Sequence, residues 1–373
     1  MQYKPLDLTQ QLIRLNTINP PGKERECARF LGELLGKNGF RVRYYEYEDS
    51  RTSLVASLDG EDETPPICFT GHLDTVPLGE KIWQKHALSA ETDGDRVFGR
   101  GTTDMKGGIA AMTLAALRLA RNKQLRSGMM LVFTASEETG CEGADYLANK
   151  LRVLEEPGAI VVGEPTGNLP LIGHKGGLWI EVCATGVTAH ASIPHHGVNA
   201  IYKAAEAIRQ LQQFDFEVPA HPVLGAPTLN VGTISGGLNM NSVPDRATLG
   251  IDIRTIPGQT PESILEKLRA TLGPDIMIRK LHHADSIYTE PQQEWMQSVF
   301  SIMKNYLPAV DETKAAPYVT DASIFKPALA YPPTVILGPG EIEMAHKTDE
   351  YCHISKIEMA VDAYFDILRD WCL

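Results

Sequence analysis

Apolar residues recur at helical spacing over Leu6–Asn16 and again over Glu24–Asn38, with the break Asn19-Pro20-Pro21-Gly22 between them. Phe40–Glu48 and Ser53–Leu58 read as strands. Ile67–Thr70 is a short buried strand that runs into Gly71-His72-Leu73-Asp74. Leu78–Asp95 is loop-rich, and Arg96–Phe98 is a short strand leading to RGTTDMKGG at Arg100–Gly108. The alanine-rich run Ile109–Ala120 has helical spacing and places Asp104 just ahead of its first turn. Met129–Ala135 is a strand followed by Ser136-Glu137-Glu138 and a helix. Ala159–Val162 is another buried strand, ending in Gly163-Glu164-Pro165. Strands that alternate with helices predict an α/β layer with a mostly parallel mixed sheet flanked by helices.

The texture changes near Gly176. Leu178–Ala184 alternates like a half-exposed strand, and Val198–Gln212 is a helix. Thr228–Ile234, Ala247–Arg254 and Ile276–His282 are strands, and Pro261–Leu272 is a helix. Together they predict an inserted α+β domain of roughly 110 residues, a common domain size. The α/β texture returns around Glu290. Thr334–Leu337 leads to Gly338-Pro339-Gly340 and then Ala345-His346-Lys347, and a closing helix runs from Ser355 to Trp371. The expected division is therefore 1–175 with 289–373 as one discontinuous domain, and 176–288 as the insertion.

Composition narrows the function classes. The 373 residues exceed one typical domain, and 43% hydrophobic with 22% charged residues fits a soluble globular protein. A net charge of −12 argues against a nucleic-acid partner. The start, MQYKPLDLTQQLIRLN, has no signal-peptide apolar stretch, and no run is long enough to cross a membrane. Cys27, Cys68, Cys141, Cys183, Cys352 and Cys372 are scattered without a CxxC pair. They read as reduced thiols of a cytoplasmic protein.

Candidate chemistry gathers at strand ends. His72, Glu137, Glu138, Glu164 and, after a longer loop, His346 each follow an apolar strand, while Asp104 precedes a helix. In open parallel sheets, ligands collect beyond the carboxyl ends of the strands. Two histidines with several carboxylates suit zinc, and also cobalt or manganese. A shared carboxylate would hold two metals roughly 3.5–4 Å apart. Gly99-Arg100-Gly101 opens like a dinucleotide fingerprint, but Asp104 stands where the third glycine belongs and would repel a pyrophosphate. Neither G-x-S-x-G nor H-E-x-x-H occurs.

GHLDTVP at Gly71–Pro77, GRGTTDMKGG at Gly99–Gly108, SEETG at Ser136–Gly140, GEPT at Gly163–Thr166 and AHKTDEY at Ala345–Tyr351 resemble, in order and spacing, the di-zinc metallopeptidase and deacylase family. That family includes acetylornithine deacetylase, succinyl-diaminopimelate desuccinylase, aminoacylase and glutamate carboxypeptidase. The resemblance implies that His72, Asp104 and Glu164 hold one metal, and that Asp104, Glu138 and His346 hold the other. Asp74 would fix the imidazole tautomer of His72. Glu137 would stay off the metals as general base, taking a proton from the bridging water and delivering it to the leaving amine. Coordination lowers the pKa of water from 15.7 to about 7, giving hydroxide at neutral pH.

GVTAHASIPHHGVN at Gly186–Asn199 is similar to the signature of the family's smaller dimerisation or lid domain. By that resemblance His190 helps to stabilise the tetrahedral intermediate, often from the partner subunit of a homodimer. GTISGGLNMNSVP at Gly232–Pro244 is similar to the stretch whose asparagine binds substrate, which nominates Asn239 over Asn241. Arg254 could clamp a substrate carboxylate or pair with Asp252 or Asp245. Gly338 and Gly340 could offer backbone N–H groups to the same carboxylate. The sequence departs from the family at Ser136 and Thr139, where acidic residues occur in relatives.

LGPGEIEMAHKTDEYC at Leu337–Cys352 and HKGG at His174–Gly177 most resemble the acetylornithine deacetylase branch. The implied reaction converts N2-acetylornithine and water to acetate and ornithine. Desuccinylase or dipeptidase activity would use the same metal site. A catalytically silent metal-binding or scaffold protein is the alternative of another class, and it would be expected to lack Glu137 or a ligand.

Overall fold

The computed structural model describes residues 3–122 and 124–373. The chain divides into two compact units, one running to Gly173 and resuming at Tyr288, the other spanning His174–Ile287. Among the described residues no helix is long and apolar enough to cross a membrane.

The larger unit is built, among its described residues, on a six-stranded mixed sheet. Its spatial order is Arg41–Glu48, Arg51–Leu58, Met129–Thr134, Ile67–His72, Ala159–Val162 and Thr334–Ile336. The first two strands pair antiparallel, and Arg51–Leu58 runs antiparallel to Met129–Thr134. The last four strands are parallel to one another. These central strands are buried along their whole length, as strands covered on both faces must be. That explains why they read as short continuous apolar runs and not as alternating ones.

Every residue of the helix Gly107–Leu119 except Arg118 is buried. A helix apolar on all sides belongs in a core, and each fully buried Leu, Ile or Met side chain contributes roughly 1.5–3 kcal/mol. It packs against the closing helix Ile354–Cys372 and the strand Ile67–His72. Its alanines and glycines allow the close approach. A Cβ on Gly108 would collide with the carbonyl of Gly163, the residue before Glu164.

Two features had no counterpart in the sequence pattern. Glu294–Met303 and Ala322–Ala328 are helices of the resumed α/β part. Tyr351–His353 forms a short strand antiparallel to Arg96–Phe98, with Tyr351 opposite Phe98 and Cys352 opposite Val97. That pairing fastens the Ala345–Tyr351 stretch beside Arg100–Gly108.

The smaller unit, described over 174–287, is α+β. Its antiparallel sheet has the order Thr228–Gly236, Arg246–Thr255, Gly176–Thr185, Ile276–Ala284. Arg246–Thr255 alternates buried and half-exposed residues, the signature of a sheet with one covered face. Ile180, Val182, Leu249, Ile251 and Ile253 pack there with Ala204, Ala207 and Leu211 of the helix Ala200–Gln212 and Ile264 and Leu268 of Pro261–Leu272. Asn199 caps the first of these helices by accepting the N–H groups of Ile201 and Tyr202.

Candidate metal centre

Register places the candidate ligands level with one another. His72 lies opposite Thr134 across the parallel pair, and Thr70 lies opposite Val162. Glu137 and Glu138 follow three and four residues beyond Thr134, and Glu164 two beyond Val162. All therefore emerge at the carboxyl edge of the parallel strands.

Asp104 is the centre of the arrangement. Its Oδ1 stands 3.0 Å from Nε2 of His72, and its Oδ2 stands 3.3 Å from Nε2 of His346. Nε2 of His72 is also 3.6 Å from Glu164 Oε1, and Nε2 of His346 is 3.2 Å from Glu138. His72, Asp104 and Glu138 each offer a ligand atom within 4.8 Å of the others, and so do His72, Glu137 and Glu164. Imidazole nitrogens and carboxylate oxygens in two overlapping groups are a donor set that fits divalent cations.

Charge crowding is visible in the ionisation of these groups. Burial raises the pKa of Glu137 and Glu138 and pushes Glu164 up to about 8. Burial opposes the shift at Asp104, but hydrogen bonds from His346 and His72 hold its carboxyl well below the usual range. Hydrogen bonds with Asp104 and Glu138 raise His346 to about 10. At His72 burial works downward and is outweighed by Glu164 and Asp104.

The turn that carries Asp104 is held from several sides. Lys106, buried, donates its ammonium protons to the carbonyls of Leu12 and Leu15 at 3.1 and 2.8 Å. Glu350 accepts the backbone N–H groups of Gly101, Thr103 and Asp104 at 3.1, 2.8 and 3.2 Å, and pairs with Arg100 at 2.6 Å. The sequence reading passed over Glu350. It lies within the Ala345–Tyr351 stretch, yet nothing local separates it from its neighbour Asp349, which is half-buried and accepts the N–H of Gln84.

Asp74 meets the His72 ring through both its carbonyl oxygen and its carboxylate. The tautomer of His72 is set by the carbonyl oxygen of Asp74, 3.0 Å from Nδ1, while its carboxylate is 3.6 Å away. A carbonyl only accepts, so Nδ1 carries a proton; in the metal-free chain Nε2 carries one as well and donates to Asp104 at 3.0 Å, and loss of that second proton would leave Nε2 with a lone pair for a cation. The Asp74 carboxylate serves the next strand end. It accepts the N–H groups of Glu137 and Glu138 at 3.1 and 3.3 Å and the side-chain amide of Asn19 at 2.9 Å. Ser136 keeps a tight bond to the Arg51 guanidinium, itself paired with buried Glu24 at 2.9 Å.

Gly338 requires a correction. Its N–H donates to Thr166 Oγ1 at 3.1 Å and is not open to a substrate carboxylate. Glycine is needed there because a Cβ would strike the carbonyls of Gly163 and Glu164. Gly340 is in the same position against the carbonyl of Thr103. Both glycines thus let the Thr334–Ile336 strand end approach the ligand-bearing turns.

The remaining candidates lie in the smaller unit. His190 is exposed, and its Nδ1 accepts the N–H of Ser192 at 3.2 Å, which places the ring proton on Nε2. Asn239 lies in an exposed loop between Leu238 and Met240, whose side chains are almost fully solvated. Arg254 pairs with Asp252 at 2.9 Å, with both side chains about one-third exposed. That pair is half-open, and neither Asp245 nor full burial is involved.

A mixed sheet whose parallel strand ends gather histidines and carboxylates at one edge makes a candidate metal centre in an α/β domain. The profile of peptidase family M20/M25/M40 matches residues 68–370, and the chain belongs to that family and is a hydrolase of it. It is 30% identical to acetylornithine deacetylase of Proteus mirabilis, over 99% of this chain and 97% of that protein. It is 29% identical to a probable succinyl-diaminopimelate desuccinylase of Staphylococcus epidermidis, over 97% and 96% of the two chains. Its fold is that of an M20 family metallo-carboxypeptidase from Sulfolobus solfataricus, with a TM-score of 0.80 at 19% identity and 99% of each chain covered. A dinuclear metal binding peptidase of the same family from Bacillus subtilis superposes with a TM-score of 0.74 at 14% identity, over 98% and 97% of the two chains.

Proposed function

We propose that this chain is a metal-dependent amide hydrolase that removes the acyl group from an N-acyl amino acid, and that its substrate is N2-acetylornithine. The observation that carries the proposal is the position of Asp104, which presents one oxygen to His72 and the other to His346. His72, Asp104 and Glu164 would hold one divalent cation, and Asp104, Glu138 and His346 the other; zinc is the favoured metal at both, with cobalt as the alternative. Bound there, the cations would supply Lewis acidity, polarising the amide carbonyl and making water more acidic.

The other steps fall to the chain's own residues. Glu137 takes the proton of the attacking water on its carboxylate and returns it to the leaving amine. Burial raises its proton affinity, as befits a group that must hold a proton between two steps. Asp74 fixes the backbone from which Glu137 projects. His190, with its proton on Nε2, would donate to the developing oxyanion, and Asn239 would bind substrate. Arg254 would take the substrate carboxylate with the face of its guanidinium not used by Asp252. Residues 176–288 would serve as dimerisation or lid domain of a homodimer, with 1–175 and 289–373 as the catalytic domain. Six buried free cysteines support a cytoplasmic setting.

The stretch Leu337–Cys352 and the similarity to the Proteus mirabilis enzyme favour the acetyl substrate. The nearly equal similarity to the Staphylococcus epidermidis desuccinylase supports a second reading with succinyl-diaminopimelate. Turnover of acetylornithine, succinyl-diaminopimelate and a dipeptide, each by zinc-loaded and cobalt-loaded enzyme, separates the two. Fast release of ornithine is expected. Rapid turnover of another substrate with no acetylornithine hydrolysis would remove the specific proposal, and metal binding with no hydrolysis at all would favour a silent binding protein.

A further inference from the structure

Glu137 has a second set of neighbours. Its Oε1 lies 3.8 Å from the sulfur of Cys141, and Glu137, Cys141 and Asp321 each offer a ligand atom within 4.8 Å of the others. Cys141 and Asp321 are 3% and 2% exposed, while Glu137 is half-buried. The backbone fixes this grouping. The N–H groups of Gly140 and Cys141 both donate to the Glu137 carbonyl, at 2.9 and 3.0 Å, so the turn brings the thiol back over the glutamate. Asp321 arrives from the other side of the sequence, immediately ahead of the helix Ala322–Ala328.

Asp321 is incompletely satisfied. Its Oδ2 accepts the hydroxyl of Thr134, but its Oδ1 is buried with no hydrogen-bond partner. Buried polar atoms are ordinarily paired, and the donor that meets this carboxyl is the Cys141 thiol, a weak one, so a cation bridging sulfur and carboxylate would satisfy the oxygen better. Burial pushes Asp321 up to about 6 and raises the Cys141 thiol, to which Glu137 and Asp321 add in the same direction. A divalent cation would give the Cys141 sulfur and the two carboxylates, grouped within 4.8 Å of one another, a common partner.

We propose that Glu137, Cys141 and Asp321 form an additional site for a thiophilic divalent cation, and that filling it inhibits the enzyme by withdrawing Glu137. One sulfur with two carboxylates suits cadmium or excess zinc and disfavours magnesium and calcium. Binding forms a bond from the cation to the sulfur of Cys141 and releases the thiol proton to solvent. Among the described residues, no other cysteine belongs to such a group. The inhibitory half of the proposal rests on Glu137 acting as general base; the site itself does not.

The test uses the full chain, stripped of metal and titrated with cadmium ion alone. Wild type should take up one more equivalent than Cys141→Ala and develop the ultraviolet thiolate-to-cadmium charge-transfer band, which Cys141→Ala should lack. Asp321→Asn retains an oxygen for the Thr134 hydroxyl and should weaken uptake at this site by at least about tenfold. In zinc-loaded enzyme, added cadmium should depress turnover of wild type far more than that of Cys141→Ala. A wild type without the band, or a Cys141→Ala protein that keeps it, overturns the site. A Cys141-dependent band in a protein that hydrolyses no N-acyl amino acid leaves the site standing and removes the proposed function instead.

Discussion

Asp74 joins two strand ends, because its Oδ1 accepts the N–H of Glu137 at 3.1 Å while its own carbonyl oxygen takes the Nδ1 proton of His72 at 3.0 Å. One fully buried residue therefore positions both a metal-ligand candidate and the candidate base. Asp74→Asn keeps the carbonyl contact but replaces one acceptor by a donor that faces two N–H groups. Metal affinity should fall about 10–100-fold. Equilibrium dialysis against zinc measures this, and an unchanged dissociation constant would contradict the assignment.

Glu137 and Glu138 are adjacent but are given different work. Glu137→Gln should lower kcat by roughly 10²–10⁴-fold, the usual contribution of a general base. Glu138→Gln should lose bound metal as well. Elemental analysis alongside initial rates separates the two, and metal loss in Glu137→Gln would make that residue a ligand.

Glu350 neutralises buried Arg100 and gathers three N–H groups of the Asp104 turn. Removing one partner of a buried ion pair strands the other charge. Glu350→Gln should therefore destabilise the fold by on the order of 3–5 kcal/mol, read from the midpoint of urea unfolding. A shift well below 1 kcal/mol would show that the turn is held elsewhere, for instance by Lys106.

Metal uptake should depend on pH in a definite sense. In the metal-free chain His346 titrates at about 10 and Glu164 at about 8, so both carry protons at neutral pH. Metal ligands bind deprotonated, so uptake near pH 7 should release protons, and apparent affinity should rise between about pH 6 and 8. Calorimetry in buffers of different ionisation heat counts the protons. The same His346 shift has a consequence for folding. Its folded pKa is raised, so its stabilising contribution to the metal-free chain is fully present below about 6.5 and disappears as the pH climbs through 10.

Much of this molecule can be read locally. Ile67–Thr70 and Ala159–Val162 are short apolar runs that read as buried strands, and the Gly- and Pro-rich turns after them carry the candidate ligands. The strands of the smaller unit, His174–Ile287, declare themselves by alternation, because a sheet covered on one face writes a period of two into its strands. Arg254 was ambiguous in sequence because a guanidinium serves a substrate or a neighbour equally well, and the neighbour turned out to be Asp252.

The sequence by itself determined which residues stand at the ends of the parallel strands, since hydrophobic period and turn composition are properties of neighbouring positions. Only the tertiary structure decided that Asp104 divides its oxygens between His72 and His346, that Asp74 supports Glu137, and that Gly338 spends its N–H on Thr166. It also brought Glu350 under the Asp104 turn and Asp321 against Cys141. These pairings depend on the order Met129–Thr134, Ile67–His72, Ala159–Val162 in the sheet and on the small strand Tyr351–His353. Such an order is chosen by the packing of whole elements, and no window of adjacent residues contains it.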